Sequence, residues 1–257
     1  MSSPAPGRRY PRSKATGRRP ESEKKARTRS RPSGRIVIAA FAVAVAAAVA
    51  LIAVALFVGG DDSGTPASTT PVVDLTAIPQ DGTVLGDKDA TVLFIEYADL
   101  QCPFCAVYAV DVFPTIVDEY IRQGNVKAEF RGLAFLGPDS EKALRFVLAA
   151  GLQDHLWDMQ EGLFRNQGRE NAGWVTDDLL REVAGEIPGL DVDRLFEGAN
   201  SSQVTTMLEE AARQGQADEV PGTPSFFVKI GDADSYRLEV PLSPDAFRAA
   251  LDDALQG

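Results

Sequence analysis

Thr91-Val92-Leu93-Phe94-Ile95-Glu96-Tyr97-Ala98-Asp99-Leu100-Gln101-Cys102-Pro103-Phe104-Cys105 is the stretch on which the reading of this chain turns. Its first half, Thr91 to Tyr97, is short, rich in β-formers and almost wholly apolar, the pattern of a central strand covered on both faces. From Cys102 to Arg122 the chain has helical character, and Val126 to Gly132 alternates like a second strand. Strand, helix and strand in that order make a β-α-β unit, which favours a parallel pair. Between a buried strand and a helix, Cys102 falls at or just before the first helical turn. Unpaired backbone N–H groups and the helix dipole favour an anionic sulfur there. This lowers the thiol pKa and supplies a nucleophile at neutral pH. Cys105, one turn further in, is the shielded partner that resolves a mixed disulfide. Pro103 suits an early helical position, where its missing N–H costs nothing.

The chain has two cysteines, both in this motif, and one histidine. A structural disulfide gains most by closing a long loop, and two intervening residues gain little. A structural zinc site wants four ligands, and nothing near Cys102 offers the spacing. Free buried cysteines are a poor reading outside the cytoplasm, where neighbouring thiols oxidise. Redox chemistry is the reading that C-x-x-C in this context favours, and it calls for no cofactor and no metal.

Downstream, residues 138–217 hold no convincing strand. Helical patterns run from Glu141 to Leu152, His155 to Phe164, Thr176 to Ala184 and Ser202 to Gln214. Strand character returns from Pro224 to Ile230 and from Tyr236 to Val240. A helix from Ser243 to Leu255 closes the chain, with Ser243 as N-cap and Pro244 as first helical residue. The expected fold is α/β: β-α-β, a helical insertion, then β-β-α.

Upstream the composition changes. Residues 1–35 carry 12 Lys/Arg against 2 Glu, and the rest carries 14 basic against 35 acidic residues, giving the overall −11. So acidic a main domain repels phosphate, and nucleic acid is excluded as its partner. Residues 1–35 have almost no bulky apolar side chains and read as a disordered cytoplasmic tail. Ile36 to Val58 is a run of 23 residues without a charge, long enough to span a bilayer as a helix. Arginines before it and Asp61 and Asp62 after it place the N-terminus inside and the rest outside. The apolar run is longer than a secretory h-region, so a transmembrane signal anchor is preferred to a cleaved signal peptide. Residues 59–71 read as a flexible stalk and 72–257 as the globular domain.

Three separated motifs stand in order: Thr91 to Tyr97, Cys102-Pro103-Phe104-Cys105, and Val220-Pro221-Gly222-Thr223-Pro224 before Ser225-Phe226-Phe227-Val228. With Phe130-Arg131-Gly132 and His155 to Gln160, they resemble the DsbA-like family of thioredoxin-fold thiol–disulfide oxidoreductases, in its membrane-anchored bacterial form. The resemblance covers about Ala90 to Gly257 and implies a thioredoxin-like fold with a helical insertion. It also implies that Pro224 is a cis-proline facing the redox pair, and that its loop, with Thr223, offers backbone hydrogen bonds to an extended substrate. An ordinary turn proline is the competing reading. The resemblance further makes Glu96 a buried acid that exchanges a proton with Cys105, its pKa raised by desolvation; the competing reading is a strand-end Glu that reaches solvent. The most oxidising relatives have histidine where this chain has Phe104, which cannot donate to a thiolate. The expected potential then lies between about −120 mV for DsbA and about −270 mV for thioredoxin.

The resemblance implies an oxidase that donates its disulfide to exported proteins and is reoxidised by a membrane partner of the DsbB or vitamin-K-epoxide-reductase-like type. A membrane-anchored reductase or isomerase, and a tethered chaperone-like module with a structural disulfide, are the alternatives. His155 reads as a surface or cap residue. Trp157, Phe164, Trp174 and Phe196 read as packing of the helical block, and Pro114 as a kink or interruption in the cysteine helix.

Overall fold

The structure is a computed structural model that describes residues 72–257. The tail, spanning segment and stalk expected over residues 1–71 lie outside the described residues. Among the described residues no helix is long and apolar enough to cross a membrane.

The centre is a six-stranded sheet in the order β1-β2-β4-β3-β5-β6. Strand β3, Val92–Ala98, lies between β4, Val126–Gly132, and β5, Ser225–Ile230. It runs parallel to β4 and antiparallel to β5, as a β-α-β unit followed by a returning strand requires. The edges are the short pair β1, Gln80–Asp81, and β2, Val84–Leu85, on one side and β6, Tyr236–Leu238, on the other. With a neighbour on each side and layers on each face, β3 can be apolar nearly throughout.

Helix α1 covers one face. It begins as Pro103–Val107 and continues through wider π-helical turns at Tyr108–Val112 and Val117–Ile121, with Phe113–Ile116 between them. Pro114 interrupts the α-helical turns, as expected, without ending the helix. Proline has no N–H and its ring crowds the preceding turn, and the backbone answers by widening, so that Phe113 N–H bonds to the Tyr108 carbonyl. Beside α1 packs the C-terminal helix α7, Pro244–Gln256, capped by the Ser243 side chain.

Five helices occupy residues 138–217: α2 (Pro138–Gly151), α3 (Leu156–Arg165), α4 (Asp177–Gly185), α5 (Val192–Ala199) and α6 (Ser202–Ala217). Helix α3 packs on α1, and α6 lies on β4. The main core contains Phe94, Phe130 and Phe226 from the sheet, Tyr108 and Phe113 from α1, Phe247 from α7 and Trp157 from α3. Tyr108 meets Phe226 at a tilt of 48° with ring centroids 4.5 Å apart, and Phe113 stacks on Trp157 at 5.0 Å. Trp157 thus joins the insertion to the sheet rather than packing the helical block alone. Ile95, Tyr97 and Phe227 form a smaller cluster apart from this core.

Candidate active site

Helix α1 starts at the redox pair. Cys102 is its N-cap, with extended backbone at φ −73 and ψ 117, and Pro103 follows in the first turn. Extended backbone at an N-cap leaves the next N–H groups facing the capping side chain. Here that side chain is a sulfur; it closes no capping hydrogen bond, but the Phe104 and Cys105 N–H groups favour its charged form. Both cysteines are free thiols, Cys102 nearly buried and Cys105 with no exposed surface.

The two sulfurs are driven apart in acidity. The Cys105 side chain donating to Cys102 is the largest influence on it. The Thr223 side chain and the two N–H groups add to it, burial opposes them, and the Cys102 thiol falls from 9.0 to about 6. Burial first, then its bond and charge interaction with Cys102, hold Cys105 well above its ordinary value. Only Cys102 is a thiolate at neutral pH. Its acidity falls between those of DsbA, about 3.5, and thioredoxin, about 7.

The Thr223–Pro224 peptide is cis. It brings the Thr223 carbonyl oxygen to 3.2 Å from Cys102 Sγ, which donates to it as a thiol. Pro224 thus ends the loop that faces the pair and opens β5. Phe104 is 66% exposed, and its ring offers the Cys102 sulfur no donor.

Glu96 lies beneath the pair on β3, opposite Phe226 of β5 and Phe130 of β4, and so faces the main core. It has no exposed surface. Desolvation raises its carboxyl from 4.5 to about 8; a Gln160 side-chain bond lowers it and the Glu161 charge raises it. Gln160 Nε2 donates to Glu96 Oε2 at 3.4 Å, and the Glu96 charge in turn pushes up the Cys105 thiol. The strand-end reading, with the carboxylate reaching solvent, does not hold.

His155 stands apart, as the N-cap residue of α3 with Nδ1 3.1 Å from Asp158 Oδ2. A groove of 760 Å³ at the β1–β2 edge, lined by residues such as Pro79, Gly86 and Arg122, holds no part of the redox pair. Nearer to it, Leu133, Phe135, Gly215 and Val220 line a groove of 620 Å³ that reaches Gly222.

A family model described as Thioredoxin matches residues 79–253. The chain belongs to the thioredoxin family. A probable disulfide bond formation protein D of Bacillus cereus is 31% identical over 147 residues, which span 56% of this chain and 68% of the relative. The disulfide bond formation protein D of Bacillus subtilis is also 31% identical over 147 residues, 56% of this chain and 66% of the relative. The crystal structure of oxidised BdbD from Bacillus subtilis aligns with a TM-score of 0.61 and 26% identity, covering 70% of this chain and 98% of that one. Wolbachia pipientis α-DsbA1 shares the fold, with a TM-score of 0.59 and 23% identity over 68% of this chain and 90% of its own. The protein is a DsbA-like protein disulfide oxidoreductase.

In this oxidoreductase the structure gathers Cys102, Cys105, Glu96, Thr223 and Pro224 at one end of the sheet. Sequence reading missed the polar residues that surround them: Asp99, Gln101, Ser140 and Gln160 are all buried. Asp99 carried a usable signal, as an ionisable residue in the short segment between an apolar strand and the cysteine helix. The other three belong to contacts made through the fold.

Proposed function

We propose that this protein is an extracytoplasmic oxidase, anchored by residues 36–58, that donates the Cys102–Cys105 disulfide to exported proteins. A substrate thiolate attacks Cys102 Sγ, the Cys102–Cys105 bond breaks, and its electron pair leaves on Cys105. Glu96, protonated at neutral pH, gives its proton to that sulfur, which binds it more tightly. A second substrate thiolate then attacks the substrate sulfur of the mixed disulfide and Cys102 leaves as a thiolate. The substrate has lost two electrons and the pair has gained them. The Thr223–Pro224 loop receives an extended substrate segment by backbone hydrogen bonds. A membrane partner of the DsbB or vitamin-K-epoxide-reductase-like type takes up the electrons, and anchoring beside it raises the effective concentration.

The observation that carries this reading is the split between the two sulfurs, with Cys102 lowered to about 6 and Cys105 raised. A stabilised thiolate favours the reduced pair and so makes the disulfide a willing oxidant. The test equilibrates the full chain in graded glutathione buffers and traps its thiols with a mass-shifting alkylator. A midpoint nearer about −120 mV supports the oxidase, and one near about −270 mV makes it a reductase. A pair inert to glutathione would mark a structural disulfide. For the location, a C-terminal reporter that matures only outside the cytoplasm must be active.

A further inference from the structure

Helix α3 of the insertion reaches the redox site at two points. Gln160 Nε2 donates to Glu96 Oε2 at 3.4 Å. About two turns further on, just past the end of the helix, the Gln167 side chain meets the turn between β3 and α1. Its Nε2 donates to the Leu100 carbonyl at 2.7 Å and to the Cys102 carbonyl at 3.2 Å. A side-chain amide nitrogen carries two hydrogens, and here each has an acceptor. One nitrogen shared by two carbonyls fixes their spacing, and with it the course of the main chain through Gln101 to Cys102.

Both main-chain polar atoms of Cys102 are thereby held. Its N–H donates to the Asp99 carbonyl at 2.9 Å. Its carbonyl accepts from the Cys105 and Ala106 N–H groups at 3.1 and 3.2 Å as well as from Gln167. Among these contacts Gln167 alone comes from another element, 65 residues away in the chain. The sulfur itself stands 3.2 Å from the Thr223 carbonyl oxygen. Its charged form is favoured first by the Cys105 side chain, then by the Thr223 side chain and by N–H groups of the first turn of α1. These groups belong to two separate segments, and they act together only while Cys102 keeps its extended backbone at φ −73 and ψ 117.

We propose that Gln167 is a positioning residue for the Cys102 nucleophile, its side-chain amide bridging the Leu100 and Cys102 carbonyls so that the helical insertion holds the sulfur between the start of α1 and the Thr223 loop. The proposal rests on the reading of Cys102 as the reacting sulfur. Loss of the bridge leaves the neutral thiol nearly unaffected but takes from the thiolate part of its stabilisation.

The experiment alkylates the reduced full chain with iodoacetamide from about pH 4 to about pH 9 and reads Cys102 and Cys105 separately by mass. The rate at Cys102 follows its thiolate, so the pH profile gives the midpoint directly. Gln167→Met keeps the length of the side chain and removes both donors. Its midpoint rises by about half a unit, so that the rate at about pH 5 falls about threefold while the plateau at high pH stays. Gln167→Lys restores a donor to both carbonyls. In high salt, where its charge acts over only a few ångströms, its midpoint returns to that of the wild type. A residue that merely supports the fold would lower the melting temperature in both variants and leave the profile in place. That result overturns the proposal, and so does a Lys variant displaced as far as the Met variant. Should Gln167→Met not fold, Gln167→Asn takes its place, since its amide falls one carbon short of the carbonyls and its midpoint rises too. A wild type in which Cys102 is alkylated no faster than Cys105 would instead sink the reading of Cys102 as the reacting sulfur, and the proposal with it.

Discussion

The Thr223 carbonyl oxygen lies 3.2 Å from Cys102 Sγ, joining two segments 121 residues apart in the chain. The contact couples a nucleophile at the start of α1 to the loop that opens β5. It also gives Thr223 two opposed influences. Its carbonyl accepts from the Cys102 thiol, while its side chain favours the thiolate. The thiolate wins, because Cys105 and two main-chain N–H groups add to the side of the charged form.

The reduced protein therefore shows one thiolate titrating near pH 6, the value to which Cys102 is lowered. Absorbance at the thiolate band, followed against pH, measures it directly. Cys102→Ser removes the transition. Cys105→Ala moves it upward, because the bond from Cys105 is the largest of the influences. A midpoint above pH 8 in the wild type would contradict the geometry drawn here for the helix start.

Glu96 makes stability fall with rising pH. The folded carboxyl holds its proton to about 8, whereas an unfolded one loses it near 4.5. Between those values the native state binds more protons than the unfolded state, so the free energy of unfolding declines across that window. Glu96→Gln removes the dependence. Relative to the wild type the variant gains stability from pH 5 to pH 8.5, by at most about 4 kcal/mol. Urea unfolding of the oxidised chain at both pH values checks this, with the cysteines kept out of the titration. Parallel curves for the two proteins would mean that Glu96 ionises freely in the fold.

Phe104→His places a hydrogen-bond donor, and at lower pH a cation, between the two cysteines. The side chain it replaces is two-thirds exposed, so the exchange leaves the core alone. The Cys102 thiol becomes more acidic by about one unit, and the disulfide more oxidising by about 30 mV. Glutathione equilibration of the two proteins side by side reads the difference. An unchanged potential would show that residue 104 does not act on the thiolate.

Asp218 ends α6 five residues before Thr223, and it accepts from the Tyr97 hydroxyl at 2.6 Å and from Arg131 Nη1 at 3.0 Å. Burial and the bond to Asp218 push the Tyr97 hydroxyl up to about 12, so it remains a donor at any physiological pH. Asp218→Ala strands the Tyr97 hydroxyl, while Arg131 keeps Glu129 and the Tyr97 oxygen, and costs about 2 kcal/mol, the partial exposure of the pair keeping it below a fully buried case. Tyr97→Phe costs about 1 kcal/mol, and the double variant costs less than the two combined. Denaturant titration of the three proteins tests the coupling; strict additivity would mean that the network is not one unit.

Much of this was legible in the sequence because it is local. The apolar run at β3, the alternation at β4, and Ser243-Pro244 at the start of α7 announce themselves over a few residues. The site of Cys102 at a helix start follows from the strand before it and Pro103 after it. The hairpin β1–β2 escaped notice because two-residue strands have no period to read. They exist by pairing with the edge of β4, where Val84 meets Glu129 and Leu85 meets Ala128. Helix α5 was not singled out either. Pro114 was legible as an interruption of the cysteine helix, and the structure adds that the interruption takes the form of widened π-helical turns.

By itself, then, the sequence determined the order of elements and the identity of the reacting sulfurs, since both depend on residues adjacent along the chain. Glu96 stood out as the one ionisable residue in an apolar strand, and the resemblance added its role and the cis geometry of Pro224. Only the tertiary structure decided the acidities, because desolvation and hydrogen bonding are properties of surroundings. Glu96 rises to about 8 because Phe130, Phe226 and the other residues of the core exclude water around it. Asp99 is held as a fully satisfied carboxylate because Ser140, Phe135 and Leu136 arrive from the far side of β4. Those donors lie about forty residues away in the chain, and only folding brings them to one carboxylate.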